Sequence, residues 1–405
     1  VVQWSLNVPV TSAYIDFGRD ANAFEYTAPV DSPSSSGNRT LLLGMKPSAT
    51  YSFQIVADVG DATCKSDVQQ ISAGAKLNGL PTVTVTTKLA SEVSKGFTLA
   101  CTNNGGGAAP GGKPSVATTG YALILDSDGD IVWWYSASDC TRVLMSYDGQ
   151  YLWMGNTNVG GGSGGTLQRV TIDGVTLDSY TSSVPSRHHD FAIMPDESVA
   201  LIEYDPNDGA SGDGCDLVAL MNPVTRTKQT VFKVADVAAS SSLAQACHSN
   251  AINWWPSKNL FTLSVLDWNT ILAFDASGKL SWAMGGQLGA TYSPGISWSA
   301  QHQHHLLANS LLLFNNKGTN GSTALEYSLA GSTQPIFSYS SGSSSNTLGA
   351  VQRLPNGNTF VTYSNSGLMH EVNASAQLVR SISTNSLGFT QRRSTLYGSP
   401  PPYAE

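Results

Sequence analysis

Short apolar runs separated by polar turns recur along most of the chain, and three of them share one layout. Phe191-Ala192-Ile193-Met194-Pro195 leads through a turn to Val199-Ala200-Leu201-Ile202, Ala251-Ile252-Asn253-Trp254-Trp255-Pro256 to Leu260-Phe261-Thr262-Leu263, and His305-Leu306-Leu307 to Leu311-Leu312-Leu313-Phe314. Each pair reads as the two strands of a hairpin. Comparable units begin near Arg142, His188, Cys247, Gln301 and Val351. A period of about 45–60 residues, with about four short strands in each unit, predicts a β-propeller. The strand material around Gly388-Phe389-Thr390-Gln391-Arg392-Arg393 is too short for a blade of its own. It is expected to be completed by the strands at 121–135, which would close a six-bladed ring.

Upstream, residues 1–73 alternate like strands. The segment from Leu41 to Ala57 has the Leu, Pro, Thr, Tyr and alternating apolar order of a strand, a corner and a second strand. It resembles the second half of a fibronectin type III domain. There Tyr51 would be the corner tyrosine whose hydroxyl returns to the backbone. Thr82–Thr87 reads as a strand and Gly105–Gly112 as a flexible connector. The expected organisation is all-β: a fibronectin type III-like β-sandwich over 1–73, a strand and Gly-rich connector over 74–118, and a six-bladed β-propeller over 119–405 that carries the candidate active site. Asp126-Ser127-Asp128-Gly129-Asp130 lacks the glycine and distal glutamate of a calcium loop, because Ile131 and Ala137 occupy those places. It reads as a hairpin turn.

Composition narrows the function classes. Charged residues are 12 %, hydrophobic residues 41 %, and there are 39 glycines, which suits a turn-rich β protein rather than a helical bundle or a disordered chain. A net charge of −8 gives no basic face for a nucleic-acid backbone. No apolar run approaches the ~18 residues that span a bilayer. If the protein is secreted, its signal peptide is expected to be already removed. The five cysteines show no CxxC spacing. Two disulfides and one free thiol are one arrangement, with Cys101–Cys140 and Cys215–Cys247 the pairs suggested by proximity. An extracytoplasmic location, periplasmic or at the cell surface, is expected. Asn38-Arg39-Thr40, Asn320-Gly321-Ser322 and Asn373-Ala374-Ser375 are glycosylation sequons that matter only in a eukaryotic source.

The histidines carry the candidate chemistry. His188, His189, His248, His302, His304 and His305, six of the seven, stand at the mouths of the three hairpins. In a propeller the first strand of each blade lines the channel, so residues leading different blades meet at one end. His189 and His302 each lie six residues before the equivalent turn positions Pro195 and Ala308, and His248 lies eight before Pro256. Equal parity predicts that all three face the channel.

At Arg187-His188-His189-Asp190-Phe191, His248-Ser249-Asn250-Ala251-Ile252, Gln301-His302 before Leu311-Leu312-Leu313-Phe314-Asn315-Asn316, and Val351-Gln352-Arg353-Leu354-Pro355-Asn356-Gly357-Asn358, the chain resembles the bacterial arylsulfate sulfotransferase family. Those proteins are periplasmic or secreted six-bladed propellers with an N-terminal β-sandwich. The resemblance implies transfer of a sulfuryl group from a phenolic sulfate ester to a phenol, with no cofactor and no metal. It implies that His302 is the nucleophile and forms a sulfohistidine, that His189 and His248 hold sulfate oxygens or handle the phenolic proton, and that Asn250 assists. The family places an arginine on the strand after the His-x-Asn hairpin, and here Leu266 stands there. Loss of that guanidinium removes a bidentate anion clamp, for which Arg353 or Arg392 is the expected substitute.

Two other readings stay open. A non-catalytic extracellular propeller, a surface, matrix or filament protein binding glycans or proteins, fits Leu266. Three imidazoles could instead hold zinc or copper, but Asp190 is the one carboxylate nearby. The partners expected for the enzyme are a small phenolic donor and acceptor, with homo-oligomerisation or self-assembly left open.

Overall fold

The computed structural model describes residues 1–103, 120–137, 140–156, 165–205, 215–238, 247–285, 298–331 and 333–398. The glycine-rich connector read at 105–112 lies outside the described residues, as do residues 206–214. Those described are all-β, with short 3-10 turns and no α-helix.

In the N-terminal part, β1 (Val2–Trp4) pairs with β4 (Asn38–Thr40). A second sheet contains β2 (Ser12–Gly18), β3 (Tyr26–Pro29), β5 (Thr50–Val59), β6 (Ala62–Lys65) and β7 (Gln69–Ser72). Val2, Ile15, Phe17, Ala28, Leu42, Tyr51 and Phe53 share one core between them. The Tyr51 hydroxyl accepts the Lys46 backbone N–H at 3.0 Å, so this buried phenol has a partner upstream in the chain.

Six sheets follow. The strands β8 (Thr84–Thr87), β9 (Phe97–Asn103), β10 (Gly120–Leu125) and β11 (Ile131–Ser136) come before four regular up-and-down sheets. These are β12 (Arg142–Met145), β13 (Tyr151–Gly155), β14 (Leu167–Thr171) and β15 (Leu177–Ser179); β16 (Arg187–Ile193), β17 (Val199–Tyr204), β18 (Asp216–Met221) and β19 (Lys228–Lys233); β20 (Ser249–Trp255), β21 (Leu260–Val265), β22 (Thr270–Phe274) and β23 (Leu280–Gly285); and β24 (His304–Leu306), β25 (Ser310–Asn315), β26 (Thr323–Ser328) and β27 (Phe337–Tyr339). The last sheet has β28 (Ala350–Arg353), β29 (Thr359–Tyr363), β30 (Leu368–Val372) and β31 (Leu378–Ser383), with β8 added at its outer edge. The order β11-β10-β9-β32 defines the remaining sheet, where β32 is Leu387–Arg393.

Each sheet buries both faces, which is why the strands read as nearly continuous apolar runs rather than as alternation. Six separate apolar clusters lie in the gaps between successive sheets, the sixth between the last sheet and the β9–β11 sheet. Leading strands touch in turn: β12 with β16, β16 with β20, β20 with β24, β24 with β28, and β28 and β12 both with β32. The series of contacts thus returns to its start.

One strand differs from the sequence expectation. Residues 97–103, within the stretch read as strand and connector, pair with β10 on one side and β32 on the other. Phe97, Leu99 and Cys101 face one core and Ala100 the next, so this strand is the bridge between both ends of the six-sheet unit. The glycine-rich stretch that follows it in the sequence hid that alternation. At 126–130 the hairpin turn is as expected, with Gly129 in the left-handed region. Among the described residues Asp126, Asp128 and Asp130 are the one trio whose oxygens converge closely enough for a metal ion, and Lys46 Nζ occupies the space between them.

Candidate functional site

Backbone irregularity positions the histidines. In β16 the register with β17 jumps from Arg187↔Glu203 to Phe191↔Leu201, so His188, His189 and Asp190 occupy a bulge. In β20 the register jumps from Ser249↔Val265 to Ala251↔Ser264, which leaves Asn250 as the extra residue. His189 has φ of +53° and His248 of +42°, and Ala300, two residues before His302, has +55°. Such values are rare for residues with a Cβ and are tolerated where the surroundings fix them. The even spacing to the turns therefore does not set the direction of His189 and His248; the bulges do.

His189 and His248 meet through their Nε2 atoms at 3.0 Å. His188 Nδ1 lies 2.7 Å from His189 Nδ1, and His188 Nε2 lies 3.0 Å from Asp216 Oδ1. The other Asp216 oxygen accepts the Ser249 N–H. His248 is exposed, whereas the other members of this chain are buried. The Cys215–Cys247 disulfide holds the two neighbouring backbones together. Burial, reinforced by the positive ends of His188, His248, His302 and Arg187, depresses the His189 pKa well below the usual imidazole range.

His302 is oriented by Asn316. The Asn316 amide donates to the carbonyls of Ser345 and Leu348 at 2.7 and 2.8 Å, so its oxygen faces His302 Nδ1 at 2.8 Å and must accept a hydrogen bond from an Nδ1–H. Nε2 then carries the lone pair, and it makes no hydrogen bond among the described residues. Burial lowers the His302 pKa to about 4, against the opposing pull of the Asn316 and Ala300 oxygens. Near pH 7 the ring is neutral, with a lone pair at Nε2.

Asn250, buried, donates to the Gln301 carbonyl at 2.8 Å and thereby ties the His248 strand to the His302 segment. Its Oδ1 has no hydrogen-bond partner among the described residues. Leu266 follows β21, and its N–H donates to the His248 carbonyl at 2.9 Å, so the position is adjacent to His248 as the spacing implied.

The structure does not bring Arg353 or Arg392 to these histidines. Arg353 ion-pairs with Glu326, donates to the Gly357 carbonyl at 3.1 Å and stacks over Phe337. Its backbone N–H bonds His305, three residues beyond His302. Arg392 is held by Thr98 Oγ1 at 3.0 Å and the Ser94 carbonyl at 2.8 Å, over the Phe360 ring. Both lie toward the turn ends of their strands, where backbone carbonyls and a carboxylate already use the guanidinium groups.

A different arginine lies beside the bulge that carries His188 and His189. Arg142, first residue of β12 and buried, has Nε 3.3 Å from Asp190 Oδ1. Its guanidinium lies 5.5 Å from the Phe389 ring, which in turn is 6.3 Å from the His302 ring. Its Nη nitrogens hold no hydrogen bond among the described residues. Asp190 also accepts the Ile252 N–H at 3.0 Å and the Gln303 side-chain amide. Burial raises its pKa, and Arg142 opposes that. Arg187, wholly buried, donates to the carbonyls of Asn156 and Thr166, and burial lowers its pKa to about 10. A Cβ on Gly165 would come within 2.5 Å of its Nη2. Neither arginine nor Asp216 nor Asn316 was singled out from the sequence. The available signal was that Arg142 opens its repeat where His188 and His189 open the next.

Residues 216–385 match the arylsulfotransferase (ASST) family. No curated protein matches the chain. Solved structures similar to it include a Bacteroides caccae protein of unknown function, at 12 % identity and TM-score 0.45, covering 74 % of this chain and 99 % of that one. Virginiamycin B lyase from Staphylococcus aureus follows at 12 % and 0.41, covering 73 % and 87 %. An auxiliary nutrient binding protein from Bacteroides ovatus stands at 11 % and 0.42, covering 94 % and 92 %. Likeness at this level carries no functional argument. The matched segment holds Asp216, His248, Asn250, His302 and Asn316.

Proposed function

We propose that the protein is an extracytoplasmic arylsulfotransferase: a six-bladed β-propeller behind a fibronectin type III-like sandwich, moving a sulfuryl group between phenols through His302. The six apolar gaps and the returning series of strand contacts support the ring. The disulfides Cys101–Cys140 and Cys215–Cys247 support an oxidising compartment. The division we favour keeps residues 1–73 as the sandwich and assigns the six sheets to the propeller.

The observation that carries the reading is the state of His302, neutral, held at Nδ1 by Asn316 and open at Nε2. In the first half-reaction Nε2 bonds to sulfur as the sulfur–oxygen bond of the aryl sulfate breaks, giving a sulfohistidine and a phenolate. In the second, the acceptor's oxygen takes the sulfuryl group and the nitrogen–sulfur bond breaks. Arg142, whose Nη nitrogens hold no hydrogen bond among the described residues, supplies the cation that Leu266 cannot. Together with Asn250 it stabilises charge on the transferring oxygens. No cofactor enters this scheme.

The test is release of p-nitrophenolate from p-nitrophenyl sulfate with phenol as acceptor. Release that continues beyond one equivalent only when phenol is present, and vanishes in His302→Ala, supports the reading. Correctly folded protein that releases nothing would point instead to a propeller that binds glycans or proteins without turnover.

A further inference from the structure

The three hydrogen bonds that link Asp216, His188, His189 and His248 admit one fully neutral arrangement of histidine protons. Asp216 Oδ1 can only accept when ionised, so His188 Nε2 carries a proton. A neutral His188 then has a bare Nδ1, which accepts from His189 Nδ1–H. Neutral His189 has a bare Nε2, which accepts from His248 Nε2–H. His248 is left with a bare Nδ1, on the exposed member of the chain.

We propose that these four residues form a directed proton relay in which His248 exchanges the phenolic proton and His188, beside Asp216, stores the resulting charge. It rests on the sulfuryl-transfer reading of His302. A proton accepted at His248 Nδ1 releases the proton on its Nε2 to His189 Nε2. His189 then releases its Nδ1 proton to His188 Nδ1. The result is an imidazolium at His188 facing the carboxylate, while His189 and His248 are neutral again with both tautomers reversed. Run backwards, the same shifts make His248 Nδ1 an acid toward a departing phenolate. One proton delivered in the first half-reaction is recovered from the acceptor phenol in the second, so the cycle balances without an outside acid.

The surroundings favour charge at His188 over the other sites. His189 faces Arg187, His248 and His302, all of which oppose a positive ring. Among the described residues His188 alone of the three has a carboxylate partner, and the ring of Tyr204 stacks on it at 4.1 Å. His188 and Asp216 are thus positioning residues that act through His248, which is the group that meets the substrate.

The relay is tested in the first half-reaction, by measuring the burst of phenol released without acceptor from p-nitrophenyl sulfate, whose leaving group needs little protonation, and from phenyl sulfate, whose leaving group needs much. Asp216→Asn, which keeps an acceptor for Ser249, and His188→Gln are expected to lose about 100-fold on phenyl sulfate, the scale of general acid catalysis, and at least tenfold less on p-nitrophenyl sulfate. Equal losses on the two donors, or none, would overturn the relay. Nitrogen-15 NMR of the intact protein gives a readout independent of turnover. A bare His188 Nδ1 with protonated His189 Nδ1 and His248 Nε2, or the charged form with both His188 nitrogens, His189 Nε2 and His248 Nδ1 protonated, supports the relay, and any other distribution rejects it. If intact protein releases no phenol, the sulfuryl-transfer reading falls and the tautomers alone decide whether the chain of protons exists.

Discussion

His189 and His248, 59 residues apart in the chain, face each other through their Nε2 atoms at 3.0 Å, each on a backbone turned to positive φ. The pairing depends on conformation as much as on ring chemistry. Asparagine tolerates the left-handed region and valine does not. His248→Asn is therefore expected to remain folded with a thermal midpoint near that of the intact protein while sulfuryl transfer falls at least 100-fold. His248→Val should lower the midpoint as well, by the ~1–3 kcal/mol typical of a strained residue. Thermal melts alongside donor assays separate the two effects; equal midpoints would refute the backbone argument.

Arg142 offers a second comparison. Arg142→Ala should reduce kcat/KM for an aryl sulfate by about 10- to 100-fold, the range of a charge-assisted hydrogen bond. Arg142→Lys should recover part of it, because charge survives but the planar fork does not. Arg353→Ala and Arg392→Ala should affect the melting temperature more than the rate. If Arg353→Ala instead produced the larger rate loss, the anion clamp would lie elsewhere.

Acid should destabilise the protein early. His302, His304 and His370 have pKa values lowered to about 4 and His305 to about 3, in each case first by burial. The unfolded chain therefore takes up protons below about pH 6.5, before the folded one does. The stability these rings contribute is complete above that pH and is lost as pH falls from about 6.5 toward 4. Melting temperatures across that window should decline steadily, and His370→Gln should flatten part of the slope. A flat profile from pH 6.5 to 4.5 would contradict it.

Reduction of the disulfides should act on two different properties. Cys215–Cys247 precedes Asp216 and His248 directly, so a Cys215→Ala/Cys247→Ala variant should lose activity beyond its loss of stability. Cys101–Cys140 joins β9 to the start of the β12 sheet, away from the proton chain, and its removal should mainly cost stability, about 2–4 kcal/mol. Activity measured well below each variant's melting temperature distinguishes them.

Lys46 sits among Asp126, Asp128 and Asp130 and joins the N-terminal part to the β10–β11 hairpin. Burial disfavours its charge, but the hydrogen bonds to Asp128 and Asp130 outweigh that and raise its pKa. Lys46→Met leaves three carboxylates facing one another. Its melting temperature should fall and partly recover in high salt, because two of the three are exposed and screened. No response to salt would mean that repulsion is not the cause.

Much of this was legible in the sequence because sheets with two buried faces write themselves as plain apolar runs. The starts read near Arg142, His188, Cys247, Gln301 and Val351 fall within three residues of the strands that begin at Arg142, Arg187, Ser249, His304 and Ala350. The histidines at those mouths were conspicuous for the same reason, being polar groups beside long apolar stretches. Phe97–Asn103 was missed because its partners are a distant strand and one beyond the glycine-rich stretch. Asp216 and Asn316 were missed because their importance is a hydrogen-bond direction, which spacing does not encode. Arg353 drew attention by strand parity, yet its depth along the strand puts it beside His305, and Glu326 claims its charge.

Phe389 ties the strand that completes the β9–β11 sheet to the start of the β12 sheet. It belongs to β32, its N–H bonds the Thr141 carbonyl at 2.7 Å, and a Cβ on neighbouring Gly388 would stand 2.0 Å from that same oxygen. Without β32, β9 would lack its inner neighbour and Arg142 would have no aromatic ring beneath it. The other apolar gaps between sheets would remain, but the ring that lies between Arg142 and His302 would be gone.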